Sequence, residues 1–188
     1  MFAGHFGLAA AVKAKAPKVP LWSLLVATQL MDIAFIPLLA TNVETFDEQH
    51  GNGYGELVIH ADYTHSLVGA LILALVAGWI AKRVWGSQAG KIIGAVVFSH
   101  WILDLIVHRA DMPILPGNLG NLPLLGFGVW KLTNLSIALE LLLIIVGVIM
   151  YTVYKFRSAP KRSSAILSSI GLSVLLIFLL LNDVGAIF

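Results

Sequence analysis

Residues 98–111 read FSHWILDLIVHRAD and place three ionisable side chains in an otherwise apolar segment. His100, Asp104 and His108 recur at intervals of four residues, so on an α-helix they lie on one face. Trp, Ile, Leu and Val occupy the positions around them, as in a segment that crosses a bilayer. Ionisable groups at that depth are costly unless they are paired or bind a metal, and they mark a candidate functional site.

The composition places this helix in a membrane protein. Hydrophobic residues make up 59% of the 188 residues and charged residues only 12%, and the mean hydropathy is +0.90, which is too apolar for a soluble domain. Cysteine is absent, so any metal must be bound by imidazole and carboxylate. No basic, aromatic-interleaved patch indicates nucleic acid. The first 18 residues lack the charge order and cleavage site of a signal peptide, so we expect them in the mature chain.

Apolar runs and the residues that interrupt them indicate five candidate spans. These spans cover approximately residues 21–40, 66–81, 91–108, 131–154 and 164–181. Before them, residues 3–16 make a short apolar helix of about 20 Å, which can reach the middle of a bilayer but is marginal for crossing it. We therefore predict an all-α membrane helical bundle, a single domain over residues 1–188 with about five transmembrane helices and a short N-terminal half-helix.

Basic residues predict the orientation of these spans. With five spans, three basic clusters fall on one side of the membrane, which makes that side cytoplasmic. The clusters are Lys13, Lys15 and Lys18; Lys82, Arg83 and Lys91; and Lys155, Arg157, Lys161 and Arg162. The segment 41–65 instead carries Glu44, Asp47, Glu48, Glu56 and Asp62 with no Lys or Arg. We therefore expect this segment, with a glycine-rich turn at 49–55, and the loop 109–130 on the outer side.

On this topology, ionisable residues from different spans converge between the midplane and the outer surface. They are His5 on the half-helix, Asp32 in the first span, Asp62 and His65 at the entrance to the second, His100, Asp104 and His108 in the third, and Glu140 in the fourth. Neutral imidazole and ionised carboxylate are the ligands of zinc, manganese and non-haem iron. The convergence therefore predicts a divalent metal centre that is open to the outside.

The spacing within the third span bears on the number of ions. His100 and Asp104, one helical turn apart, can bind a single ion. On a continuous helix His108 would lie about 12 Å along the axis from His100. This spacing favours two neighbouring ions, or one ion and a histidine that contacts substrate. Two ions would polarise a phosphoryl or carbonyl oxygen and make a water between them acidic.

Several of these residues also fit structural roles. Asp32 could bond a neighbouring helix, and Asp62 could cap the second span at its N-terminus. Glu140 could pair with Arg109, act as a general base, or orient a ligand histidine. Arg109 could hold a phosphate through two hydrogen bonds or anchor its helix at the interface. The sequence leaves these alternatives open.

A series of short motifs runs in order through most of the first 140 residues. It comprises HFGLA at 5–9, QLMD at 29–32, YTHSL at 63–67, SHWILD at 99–104, VHRADMP at 107–113, GFGVW at 126–130 and LEL at 139–141. In this series the chain resembles the membrane-bound predicted metal-dependent hydrolases of bacteria and archaea, a group related in motif to zinc-dependent phospholipase C. The resemblance implies metal binding by His100 and Asp104, which match its H-x-x-x-D pair, and ligand candidacy for His5, Asp32, His65 and His108.

Three functions follow as expectations. The first is a hydrolase in the cytoplasmic membrane of a prokaryote that cleaves a phosphoester of a lipid or lipid-linked substrate at the outer leaflet. Its ion would be zinc, with manganese or iron as alternatives, and its candidate catalytic residues are Glu140, Asp62 and Arg109. The second is a metal- or proton-coupled transporter. Two features argue against a transporter: the polar residues gather on one side of the membrane, and the sequence shows no inverted repeat. The third is a non-catalytic membrane scaffold with a structural metal.

Overall fold

A computed structural model describes residues 1–47 and 58–185 of the chain. In these ranges the chain is almost entirely helical, and two short antiparallel strands pair Phe46 with Ile59. The helices are α1 (Phe2–Lys15), α2 (Leu21–Thr28), α3 (Leu30–Ala40), α4 (Leu67–Trp85), α5 (Ser87–Val107), α6 (Thr133–Ser158) and α7 (Arg162–Asp183), and the strands are β1 (Thr45–Asp47) and β2 (Val58–His60). The predicted all-α architecture is confirmed. The predicted turn at 49–55, with Glu48 and Glu56, lies outside the described residues.

The helices have the length and composition that membrane crossing requires. Four of them, α4 to α7, are each long and apolar enough to span a bilayer, and α2 and α3 pass the same test only as a pair, which is bent by 50° and would be a fifth span if the pair counts as one. Side chains that face outward from these helices are largely apolar, such as Leu75 on α4 and Leu167 on α7. The chain is an integral membrane protein of the predicted kind.

The bend in the first span is a feature that the sequence does not predict. The helix breaks at Gln29, where the carbonyl of Thr28 accepts a hydrogen bond from His100 Nδ1 at 2.6 Å. A side chain that engages a carbonyl of the helical ladder is a known cause of sharp kinks. Because of this break, Asp32 in the first turn of α3 lies close to α5, with its Oδ1 atom 3.6 Å from His100 Nε2.

The short helix α1 is docked against α6 and α7. Its backbone approaches α6 so closely at Gly7 and Gly147 that a Cβ atom on Gly147 would overlap the Gly7 carbonyl. At its N-terminus, Ala3 N–H donates to Asp183 Oδ2 at 2.8 Å and Gly4 N–H donates to Glu140 Oε1 at 2.9 Å. The first N–H groups of a helix have no partner within it and carry partial positive charge. Two carboxylates therefore hold this helix end inside the bundle.

The segment GFGVW secures the end of α5. Phe127 N–H donates to the Leu105 carbonyl at 2.9 Å, and Gly128 N–H donates to the His108 carbonyl at 2.6 Å. These bonds satisfy carbonyls that the end of a helix leaves free. As a consequence α5 ends at Val107 and His108 takes an extended conformation. The third span, predicted to end at about His108, is therefore confirmed to within one residue at this end, and the residue that leaves the helix is a candidate ligand.

Close packing of this segment makes Gly126 sensitive to substitution. Gly126 has φ +141°, and a Cβ atom there would overlap the Arg109 carbonyl. We expect Gly126→Ala to destabilise the protein by about 1–3 kcal/mol, seen as a lower Tm of the detergent-solubilised protein. Gly120→Ala is the matched control, since Gly120 also has positive φ (+83°) but a Cβ atom there meets nothing within 4 Å. Equal Tm losses in the two variants would contradict the packing account.

The start of α4 is capped by Ser66. Its hydroxyl accepts from Gly69 N–H at 3.0 Å. The N–H groups of Leu67 and Val68, the first two of the helix, donate to the carbonyls of Pro113 and Ile114 at 3.0 and 3.2 Å. Capping by Asp62, one of the two roles that the sequence allowed, is therefore wrong. The same contacts fix the loop 109–130 against α4, close to His65.

Candidate metal centre

Two carboxylates and two imidazoles face one another inside the bundle. Asp32 Oδ1 lies 3.4 Å from His65 Nε2 and 3.6 Å from His100 Nε2. Asp104 Oδ2 lies 3.7 Å from His65 Nε2 and 3.0 Å from His100 Nε2. Ligand atoms around a tetrahedral ion with bonds of about 2.1 Å are separated by roughly 3.4 Å. The four carboxylate–imidazole distances are therefore close to the separations in a metal site, and Asp32, His65 and His100 form one group that could hold an ion.

His5 and His108 flank this set. His5 Nε2 is 3.1 Å from Asp104 Oδ1, and the His5 ring stacks on His100 with a centroid distance of 4.0 Å. His108 Nε2 is 3.9 Å from Asp104 Oδ2. Four of the other predicted ligands, His5, His65, His100 and His108, thus surround the Asp104 carboxylate. Two groups of three could each hold a metal ion, and they share His100: His5, His100 and Asp104; and Asp32, His65 and His100.

The histidines are oriented by partners on their second ring nitrogen. The contacts join His100 Nδ1 to the Thr28 carbonyl (2.6 Å), His65 Nδ1 to Thr64 Oγ1 (2.9 Å) and His108 Nδ1 to Asp111 Oδ1 (3.1 Å). An acceptor at Nδ1 keeps the proton on that nitrogen and leaves the Nε2 lone pair for an ion, as in most histidine-bound metal sites. The Nε2 atoms of all three lie within 4 Å of Asp104 Oδ2.

The buried acid Glu44 determines in which direction the Thr64 hydroxyl donates its hydrogen bond. Glu44 is only 1% exposed, and its carboxylate accepts from Tyr63 N–H and Thr64 N–H, both at 2.8 Å, and from the Thr64 hydroxyl at 2.9 Å. An ionised carboxylate only accepts hydrogen bonds, so the Thr64 proton points to Glu44 and the Thr64 oxygen accepts from His65. Glu44 and Thr64 are therefore positioning residues for His65.

The protein leaves buried polar atoms that a cation would satisfy. Within the described ranges, His100 Nε2 and His5 Nδ1 are buried without a hydrogen-bond partner. His100 Nε2 lies 3.0 Å from Asp104 Oδ2, yet the two atoms are not aligned as a hydrogen bond. Buried polar atoms without partners are costly and rare. A cation among these donors would take the His100 lone pair and neutralise Asp32 and Asp104, so the donor set fits a metal.

A cavity of about 410 Å³ adjoins the donor atoms. All six predicted ligands line it, and its other walls are mainly apolar, with Phe35, Ile36 and Leu39 from α3 and Trp130 from the loop 109–130. The Asp32 side chain is 39% exposed, whereas the His65, His100 and Asp104 side chains are at most 7% exposed. The site is therefore open on the side of α3 and leaves room for a bound molecule.

Within the described ranges, the three predicted catalytic residues, Asp62, Arg109 and Glu140, lie outside the lining of this cavity. Glu140 is fully buried and bonds the Gly4 N–H next to His5. Arg109 Nε lies 3.8 Å from Asp111 Oδ2, and Asp62 is half-buried, with its carbonyl bound by Gly117 N–H at 2.9 Å. Their catalytic roles stay predictions.

Sequence pattern alone does not identify the residues that orient the ligands. It predicts Glu44 only as part of an acidic segment on the outer side, and it gives Asp111 no role. The available signal for Asp111 was its position three residues after His108. The Thr28 carbonyl carries no signal of its own, because any residue type offers a carbonyl.

Comparison of the chain with protein-family models, with curated proteins and with solved structures gave no match. Its function is therefore inferred from the site itself and from the motifs quoted above.

The contact of Thr64 with His65 yields a quantitative prediction. Thr64→Val removes the acceptor of His65 Nδ1–H, and we expect a loss of zinc affinity of about 10–100-fold, as for other partners of metal-bound histidines. Thr64→Ser keeps the hydroxyl and should stay near wild type. Zinc competition with a chromogenic chelator, using protein stripped of metal, measures both variants. Equal affinities for the two would show that the hydroxyl does not orient His65.

Proposed function

We propose that this chain is a membrane-embedded, metal-dependent hydrolase acting on a phosphoester of a lipid or lipid-linked substrate. The observation that carries the proposal is the position of the His and Asp donors at one end of an otherwise apolar cavity. Structural zinc sites are closed by protein ligands, whereas catalytic sites keep a position open for water or substrate. The space beside Asp32 supports the catalytic alternative over the structural one.

Zinc is the ion that we propose, because imidazole and carboxylate donors at tetrahedral separations suit it. Manganese and iron accept the same ligands. Asp104 has Oδ2 toward His65 and His100 and Oδ1 toward His5, so its carboxylate would hold an ion together with these imidazoles. An ion bound there would polarise a phosphoryl oxygen and make water more acidic.

His108 is the residue that we propose for proton transfer. It lines the cavity, and its Nδ1 atom is held by Asp111 at 3.1 Å, so its Nε2 atom is the one free to accept a proton. Its ring also lies against Trp130, with centroids 4.1 Å apart, which restricts its orientation. Arg109, the next residue, is 29% exposed and is a candidate for holding the phosphate through its guanidinium group.

We further propose that the site faces the outside of a prokaryotic cytoplasmic membrane. The donors on α5 lie in its C-terminal half, whereas Lys82, Arg83 and Lys91 lie at the α4–α5 connection at the opposite end. Lys13 packs over Tyr154 near the basic end of α6. Since basic clusters mark the cytoplasmic side, the donors belong to the outer half of the bilayer.

The test is hydrolysis by the purified protein in detergent. A panel of phospholipids and soluble phosphodiesters is offered, and we expect release of phosphate or of a phosphorylated headgroup that chelator abolishes and zinc restores. His100→Ala should reduce turnover to background, and Asp47→Asn, which alters an exposed pair with His60, should not change it. A metal-loaded protein without turnover on the whole panel would overturn the hydrolase proposal. Proteoliposome uptake that depends on Asp32 and Asp104 would favour transport instead.

A further inference from the structure

A stripe of side chains runs along α3 from the metal donors. Asp32, Phe35, Ile36 and Leu39 all line the cavity. The three apolar residues follow Asp32 by three, four and seven positions, which is the spacing of one helical face. The stripe extends for about 10 Å along the helix. Its first member is an acid and the others are apolar. A molecule bound along this face would therefore contact a polar side chain at one end and apolar side chains over the rest of its length.

The apolar part of this stripe is open to the surroundings of the helix bundle. Ile36 is 62% exposed and the neighbouring Ile33 is 45% exposed, and both lie on α3, the second helix of the bent pair that is apolar enough to form one span with α2. The Asp32 side chain is also half-exposed, at 39%. In a membrane-spanning helix an exposed apolar side chain contacts lipid. The cavity is therefore continuous with the bilayer along α3.

Phe2 and Trp130 add aromatic side chains to the wall of the cavity. Both line it, and Phe2 packs edge-on against Phe6 on the same helix, with centroids 5.2 Å apart. An elongated apolar group in the cavity would thus have aromatic rings as well as the α3 stripe to contact. A phosphoester without an apolar group would leave these contacts unused.

We propose that the α3 stripe is an acyl-chain subsite, along which a membrane phospholipid reaches the donors sideways from the bilayer with its phosphate at the Asp32 end. The identity of the reaction rests on the proposed function, whereas lipid binding to the stripe does not. The occupant is the chain of a lipid, and a soluble phosphoester that enters from water is the alternative that the experiment must exclude.

Photo-crosslinking tests the subsite without reference to turnover. The full chain is reconstituted in phosphatidylglycerol–phosphatidylethanolamine vesicles with a trace of phospholipid that carries a diazirine in its acyl chain. We expect labelling of Phe35, Ile36 or Leu39 that saturates and is competed at least fivefold by added unlabelled phospholipid. Labelling of Leu75, which is 72% exposed on α4 and outside the cavity lining, should not saturate. Identical, non-saturating labelling of α3 and α4 would overturn the proposal.

A second experiment replaces Ile36 in the stripe by a larger or by a polar residue. Ile36→Trp and Ile36→Ser should each reduce the saturable labelling of Leu39 at least fivefold and leave the bound metal per chain unchanged. Leu75→Trp is the matched control and should change neither. Unchanged labelling of Leu39 in both Ile36 variants would overturn the subsite.

Measurement of turnover on the same proteins distinguishes failure of the acyl-chain subsite from failure of the proposed hydrolase function. Saturable labelling in a protein that hydrolyses nothing supports the subsite while the hydrolase proposal fails. Hydrolysis of soluble phosphodiesters that is as fast as that of phospholipids, and insensitive to Ile36→Trp, overturns the subsite while the hydrolase proposal stands.

Discussion

Asp104→Ala is expected to abolish high-affinity metal binding. The Asp104 carboxylate lies within 4 Å of four imidazoles: His5 (3.1 Å), His100 (3.0 Å), His65 (3.7 Å) and His108 (3.9 Å). Its removal deletes one donor and the negative charge around which the others are arranged. We expect zinc affinity to fall by at least about 1,000-fold, beyond the about 10–100-fold typical of outer-shell partners. Zinc titration of chelator-stripped protein in detergent measures the change.

Asp47→Asn is the matched control for this variant. Asp47 also carries a carboxylate 3.1 Å from a histidine, His60, but the pair is exposed. Its zinc affinity should equal that of the wild type. Circular dichroism and gel filtration establish that the Asp104 variant remains folded. A folded Asp104→Ala protein with wild-type affinity would place the metal elsewhere.

Gly147→Val is expected to release α1 from the bundle. A side chain at Gly147 would overlap the Gly7 carbonyl, and helices in a membrane associate through such close contacts because lipid provides no hydrophobic driving force between them. Separation of α1 would also remove Ala3 and Gly4 from their carboxylate partners and His5 from Asp104. The effect should be nearly complete loss of the docked state.

The absence of native cysteine allows a direct measurement of this release. Ala9 on α1 is fully buried, so a single Ala9→Cys should react with a water-soluble maleimide at least tenfold faster when Gly147→Val is added. Gly171→Val on α7 is the control, since a Cβ atom there meets nothing within 4 Å. Slow labelling in the Gly147→Val background, equal to that in the Gly171→Val background, would show that the Gly7–Gly147 contact does not hold α1.

The features that the sequence predicts are those encoded locally. The lengths of apolar runs predict the spans, because membrane crossing depends on consecutive residues. The four-residue spacing of His100 and Asp104 predicts one face of α5, and the two side chains do meet the same partners. The topology of the spans, with their acids and histidines toward one end, selects the six predicted ligands, which line the cavity, but also Asp62 and Glu140, which do not.

The remaining features depend on contacts between distant residues. The bend at Gln29 follows from the bond between His100 and the Thr28 carbonyl, 72 residues apart. The burial of Glu44 follows from its bonds to Thr64, 20 residues away. The position of His108 depends on Gly128, whose N–H engages the carbonyl of this residue. Periodicity within one helix contains no information on any of these contacts.

The most direct test of the central claim is the metal content of the wild-type protein. Elemental analysis of detergent-purified chain, expressed without added metal and dialysed against metal-free buffer, should find at least one zinc, manganese or iron ion per chain. The His100→Ala and Asp104→Ala proteins, purified in parallel, should contain none. A wild-type protein that is folded and carries no transition metal, even after incubation with zinc, would contradict the metal centre.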